Sequence, residues 1–291
     1  MPAGKKYSKT VIIKVTPGAD VPDSSIDDTA SDLQRKTKAD AVIHIDDTNR
    51  LAQEDLSGAR VYLHGHNGYM TNEFGGREPK AVAKAIQAAN IGDAKLISIT
   101  GCNAARGPYV RGNANALKKE MRQKTEAALM QRLLGNDPGP AQSDQYPGVN
   151  QDNYAEAISH DPRLVDTTKP AITLARGSTA HVLHKALMDD GISVDIHARL
   201  YVASIERDGR KDTMSKSFMA VDPELGTERL TYLWMSKAEK SKIKISENVG
   251  AAGDELSQTF EYVDYPVKSE HDDGPDGSGA DDGAATTPNG D

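Results

Sequence analysis

Chemistry in this chain is concentrated in two short turns. In "ARVYLHGHNGYM", Ala59 to Met70, an apolar run ends in His64, Gly65 and His66; in "SITGCNAARG", Ser98 to Gly107, another ends in Gly101 and Cys102, the single cysteine of 291 residues. A thiol with a pKa of about 8.5 becomes an effective nucleophile when an imidazole lowers that value or takes the proton. Glycine beside each reactive residue lets a substrate carbonyl approach the backbone. The N–H groups around Gly65, Gly101 and Cys102 can then hold a developing oxyanion. This is the chemistry of a cysteine peptidase, provided that the two turns meet.

The surrounding elements are those that would make them meet. "KTVIIKV", "DAVIHID", "ARVYLH" and "AKLISIT" are short β-branched runs that read as strands. "SSIDDTASDLQRKT" and "EPKAVAKAIQAANIG" space their apolar residues as helices. Strands alternating with helices predict right-handed crossovers and a mostly parallel sheet with helices on both faces. In such a sheet, reactive groups gather beyond the carboxyl ends of the strands, where both turns fall. The rhythm breaks over residues 103–176, a polar stretch with a charged helical pattern and many Pro, Gly and Asn, expected to be an insertion. It resumes with the helix "STAHVLHKALMDDG" and the strand or strand pair "ISVDIHARLYVASI". "SKSFMAVD", "ERLTYLWMSK" and "KSKIKIS" then alternate as hairpin strands. The expected domain spans 1–250, with 251–291 an acidic Gly/Asp-rich tail, disordered from about residue 266 because it lacks apolar surface.

Composition excludes several classes. A net charge of −8 argues against a nucleic-acid partner, and no window approaches the roughly 18 apolar residues of a membrane-spanning helix. One cysteine allows no intramolecular disulfide. The N-terminus has an apolar run too short for a signal-peptide core, which suggests a cytoplasmic protein or one delivered to a target-cell cytosol without a cleaved signal. His181 and His184 sit three apart on a helix without a third ligand at useful spacing, so no metal site is expected and both read as surface residues.

A strand ending in His beside Gly, then a helix, then a strand ending in Gly-Cys resembles the caspase-like superfamily (clan CD) of cysteine peptidases. The likeness is closest to the self-cleaving cysteine peptidase domains of large bacterial toxins. "LHGHNG" and "SITGCNAARG" match their two strand ends, and "HVLHKALMDDGISVDIHARLYVASIERDGRKDT" is similar to their following helix, strand and hairpin. The resemblance implies an α/β/α sandwich with a C-terminal β-hairpin flap, a Cys/His dyad with Cys102 as nucleophile, and a protein or peptide substrate. Aligning the strand ends symmetrically selects His66 as the base, as does the toxin-domain register. The caspase register selects His64, and Asn67 stands where the toxin domains have glycine, so both histidines remain candidates.

Basic residues collect late in an otherwise acidic chain: Arg199, Arg207, Arg210, Lys211 and Lys216, then Lys237, Lys240, Lys242 and Lys244. Converging, they would bind a compact polyanion. In the resembled toxin domains a basic flap binds inositol hexakisphosphate, which implies that this ligand is an allosteric activator here. Self-processing beside leucine, as in those domains, would fall near Leu133, Leu134 or Leu174. Two rivals stand beside the peptidase: a non-catalytic binding or effector module on the same fold, and an acyl transferase or thioesterase using the same Cys/His pair.

Overall fold

The computed structural model describes residues 7–19, 23–68, 71–113, 116, 119, 164–205, 211–221, 228–236, 240–250 and 257–263. Among these, a mixed α/β architecture is built on a seven-stranded, mostly parallel sheet. Strands β1 (Thr10–Lys14), β2 (Ala41–His44), β3 (Arg60–His64), β6 (Leu96–Ile99) and β7 (Ile196–Arg199) run parallel. β11 (Lys242–Glu247) and β12 (Gln258–Tyr262) close one side antiparallel, giving the order β12-β11-β7-β6-β3-β1-β2. The central strands are buried on both faces, as their uninterrupted apolar runs require.

Helix α1 (Ser24–Thr37) covers one face. Its buried Ile26, Ala30 and Leu33 repeat every three to four residues, Asp23 caps its start, and Lys38 ends it in a left-handed conformation. Leu33 packs on Ile12 and Tyr62. The opposite face carries α3 (Pro79–Gln87) and α5 (Thr179–Asp189), whose Val82, Ile86, Leu183 and Leu187 join Val11, Ile13, Leu63, Ile97 and Ile196 in the main core. Each such aliphatic side chain contributes roughly 1.5–3 kcal/mol on leaving water. The short helices α2 (Thr48–Ala52) and α4 (Ala171–Ala175) and a small ribbon, β4 (Asn67–Gly68) with β5 (Glu73–Phe74), complete this part. A separate antiparallel sheet contains β8 (Ala203–Ile205), β9 (Lys211–Val221) and β10 (Glu228–Ser236), so "SKSFMAVD" and "ERLTYLWMSK" pair as expected, whereas "KSKIKIS", read with them as a hairpin strand, lies in β11 of the seven-stranded sheet. No described helix is long and apolar enough to cross a membrane.

Three further expectations need correction. The domain does not end at residue 250, because β12 pairs with β11 and its Gln258 is buried. A five-residue edge strand flanked by acidic residues has too weak a pattern to be read ahead of its partner. The expected insertion is narrower than 103–176. Ala104, Ala105 and Val110 at its start and Leu164, Val165, Leu174 and Ala175 at its end all belong to the core. Leu174, buried within α4, is therefore no cleavage neighbour, whereas Leu133, Leu134 and the tail from residue 266 lie outside the described residues. Finally, His181 and His184 are buried. The side chain of Gln258 reaches Nδ1 of His184 at 2.6 Å, and Phe260 lies against the His181 ring, so β12 covers both.

Candidate active site

β3 and β6 are parallel neighbours in register Leu63↔Ile99, so the two turns leave the same sheet edge side by side. They touch. A Cβ on Gly101 would lie 2.9 Å from the carbonyl oxygen of Gly65 and 2.5 Å from the Phe74 ring, so only glycine allows this approach. Phe74 is placed there by the ribbon that follows His66, which closes through Gly75 N–H donating to the His66 carbonyl at 2.6 Å. Beyond Cys102, which is partly exposed, the chain folds back on the end of β7. Asn103 takes a left-handed φ of 58°, Ala105 N–H donates to Arg199 O at 2.9 Å, and the buried Arg106 guanidinium donates to Leu200 O. The Cys102 turn thus rests on β6, the Gly65 turn and β7.

The two candidate histidines occupy different environments. His64 is buried on the α1 side of the sheet, with Nδ1 2.7 Å from Thr100 Oγ1 and Nε2 2.8 Å from Thr29 Oγ1. His66 has a side chain that is 66% exposed, so it alone of the pair can meet a substrate without rearrangement. Its Nε2 lies 3.1 Å from Ser25 Oγ and 3.3 Å from Asp23 Oδ2 at the start of α1. Ser25 Oγ donates to Asp23 Oδ1 at 2.7 Å and Ile26 N–H donates to the same oxygen at 3.2 Å. Partial burial pushes the Asp23 carboxyl up, but these bonds and the neighbouring His66 outweigh it and hold the acid below its usual range. An ionised Asp23 favours the tautomer with its proton on Nε2, leaving Nδ1 as the basic nitrogen. Nothing in their spacing along the chain marks Asp23 and Ser25 as partners of His66.

Of the polyanion candidates, the structure brings Arg199, Lys242 and Lys244 onto one sheet face. The register Arg199↔Lys242 and His197↔Lys244 adds His197, and Ser98↔His197 with Tyr62↔Ser98 adds Arg60 two residues before Tyr62. Arg60 donates to Ser98 Oγ at 3.2 Å and lies over the Tyr62 ring, and Lys244 pairs with Asp195 at 2.9 Å. Burial and then the charges of Arg199 and Arg60 push Lys242 down to about 7; burial, then Lys242 and Arg60, push His197 down to about 4. Arg60 and His197 were not foreseen, since only register reveals them. Lys240 stands apart, its ammonium over the Tyr262 ring. Lys211 and Lys216 lie on β9, where side chains are not described, and Arg207, Arg210 and Lys237 lie outside the described residues.

No protein-family model matches this chain, and no curated protein matches its sequence.

Proposed function

We propose that the chain is a cysteine endopeptidase of the caspase-like kind, with Cys102 as nucleophile and His66 as base. The observation that carries this reading is the Gly65 to Gly101 approach, which sets an exposed, oriented imidazole and the only thiol on two touching turns. Sγ of Cys102 bonds to the scissile carbonyl carbon while the thiol proton passes to Nδ1 of His66. That proton goes on to the leaving amine as the C–N bond breaks. Water, activated by the same nitrogen, then cleaves the thioester, releasing the carboxylate and restoring the thiol. Backbone N–H groups of the Gly65 and Gly101 turns are suited to the oxyanion. His64, with both ring nitrogens held by threonines, has no part in this proton path.

The basic sheet face of Arg60, His197, Arg199, Lys242 and Lys244 supports a further part of the proposal, activation by an inositol polyphosphate. The Arg199 backbone carbonyl accepts from the N–H of Ala105, three residues after the nucleophile, so a ligand that draws in its guanidinium acts on the turn holding Cys102.

The test is intact-mass analysis after incubating the protein and its Cys102→Ala variant, each with and without inositol hexakisphosphate. Fragments only from the cysteine-containing sample are expected, more of them with the ligand. Two intact proteins, no cleavage of added protein substrates and no trapping by peptidyl electrophiles would sink the peptidase reading. Trapping by small acyl electrophiles alone would point to acyl transfer instead.

A further inference from the structure

A continuous chain of polar contacts runs beneath the proposed dyad from one turn to the other. His66 Nε2 meets Ser25 Oγ at 3.1 Å, the Ser25 carbonyl accepts from Thr29 Oγ1 at 2.6 Å, and Thr29 Oγ1 meets His64 Nε2 at 2.8 Å. His64 Nδ1 meets Thr100 Oγ1 at 2.7 Å, and Thr100 is joined through Gly101 to Cys102. We propose that His64 is a positioning residue for the peptidase chemistry, a buried strut that sets the distance between the base on the α1 side and the nucleophile turn beyond β6. This inference rests on the peptidase reading above and gives His64 a role different from that of base.

The proton count supports a fixed ring. Each threonine hydroxyl has one proton, and the short bond to the Ser25 carbonyl uses that of Thr29, so Nε2–H donates to Thr29 Oγ1. In a neutral imidazole Nδ1 must then accept, which turns the Thr100 hydroxyl toward the ring and away from its alternative acceptor, Leu63 O, at 3.1 Å. The ring is buried and spans two elements that the sheet ladder does not itself connect, helix α1 and the end of β6. A phenyl or aliphatic group would fill the same space without fixing Thr100. Because polar contacts at both ring nitrogens are directional, the site specifies geometry as well as volume.

The experiment compares the full chain with Thr29→Val, Thr100→Val, Thr100→Ser and His66→Ala variants. Two readouts are used: iodoacetamide alkylation against pH, which reports Cys102 alone because the chain has no other cysteine, and peptide cleavage. In the parent protein the alkylation midpoint is expected below the ordinary thiol value, and His66→Ala should return it there. Thr29→Val and Thr100→Val should each move it part of the way and lower kcat about tenfold with KM nearly unchanged, as misplacement of a base from its thiol predicts. Thr100→Ser should restore both. Folded valine variants with the parent midpoint and kcat would overturn the strut while leaving the His66 effect intact. A parent thiol that titrates normally and ignores His66→Ala would remove the peptidase reading, and the strut with it.

Discussion

One carboxylate oxygen of Asp23 caps helix α1, while the other lies 3.3 Å from Nε2 of His66. The same side chain therefore starts a helix and orients a candidate base, and the two roles separate by substitution. Asparagine caps as well as aspartate, so Asp23→Asn should leave the melting temperature nearly unchanged. It removes the negative charge facing His66, and peptide cleavage should fall at least about tenfold, part of the roughly 10²–10⁴ that a general base supplies. Asp23→Ala should lose the same activity and in addition about 1 kcal/mol of stability. Equal cleavage by Asp23→Asn and the parent protein would remove Asp23 from the site.

Gly101→Ala tests the approach of the two turns. The added methyl would lie 2.5 Å from the buried Phe74 ring and 2.9 Å from the Gly65 carbonyl oxygen, closer than packed atoms approach. Overpacking of this kind costs roughly 1–3 kcal/mol. Urea unfolding should show that loss together with slower alkylation of Cys102. A second change, Phe74→Leu, should recover part of the stability, because it removes the ring nearest the new methyl.

Much of this arrangement was legible in the sequence, and what was not has a physical pattern. The limits of α1 follow from local chemistry, chiefly an apolar repeat at helical spacing, and the structure gives helix Ser24–Thr37 over the same residues. The parallel order of β3 and β6 followed from alternating strand and helix patterns, and it places the His and Gly-Cys turns together. The contact between Asp23 and His66 joins residues far apart in the chain through a crossover, so no spacing announces it. Arg60 and His197 share a face with Lys242 only through register across four strands. The burial of His184 depended on β12, a strand whose pattern was too weak to read.

His184 should make the fold acid-sensitive. Burial first, and the nearby His181 second, push it down to about 4, with Asp195 and Glu247 opposing weakly. An unfolded histidine titrates near 6.5, so between about pH 4 and 6.5 the unfolded chain binds the extra proton. Stability is then full above about 6.5 and falls as pH drops toward 4, by on the order of 3 kcal/mol from this residue. Urea midpoints at pH 7 and pH 4.5 should diverge more for the parent protein than for His184→Leu. Identical pH slopes for the two would exclude His184 as a source of the sensitivity.

Lys242 gives the polyanion proposal a signature that simple surface attraction lacks. With its ammonium pushed down to about 7 by burial and by Arg199 and Arg60, it is largely neutral at pH 8 in the free protein. A bound polyphosphate favours the charged form, raises the pKa, and so draws a proton from solution at that pH. At pH 6 the group is already charged and no uptake from it is expected. Affinity for inositol hexakisphosphate should accordingly weaken from pH 7 to 9, approaching tenfold per unit for this one proton. Calorimetry at pH 8 in two buffers of different ionisation enthalpy should detect the uptake. Lys242→Met should abolish that component and weaken binding, whereas Lys240→Met, on the ring of Tyr262, should change neither. Binding without proton uptake, or equal uptake by Lys242→Met, would place the polyanion on some other surface.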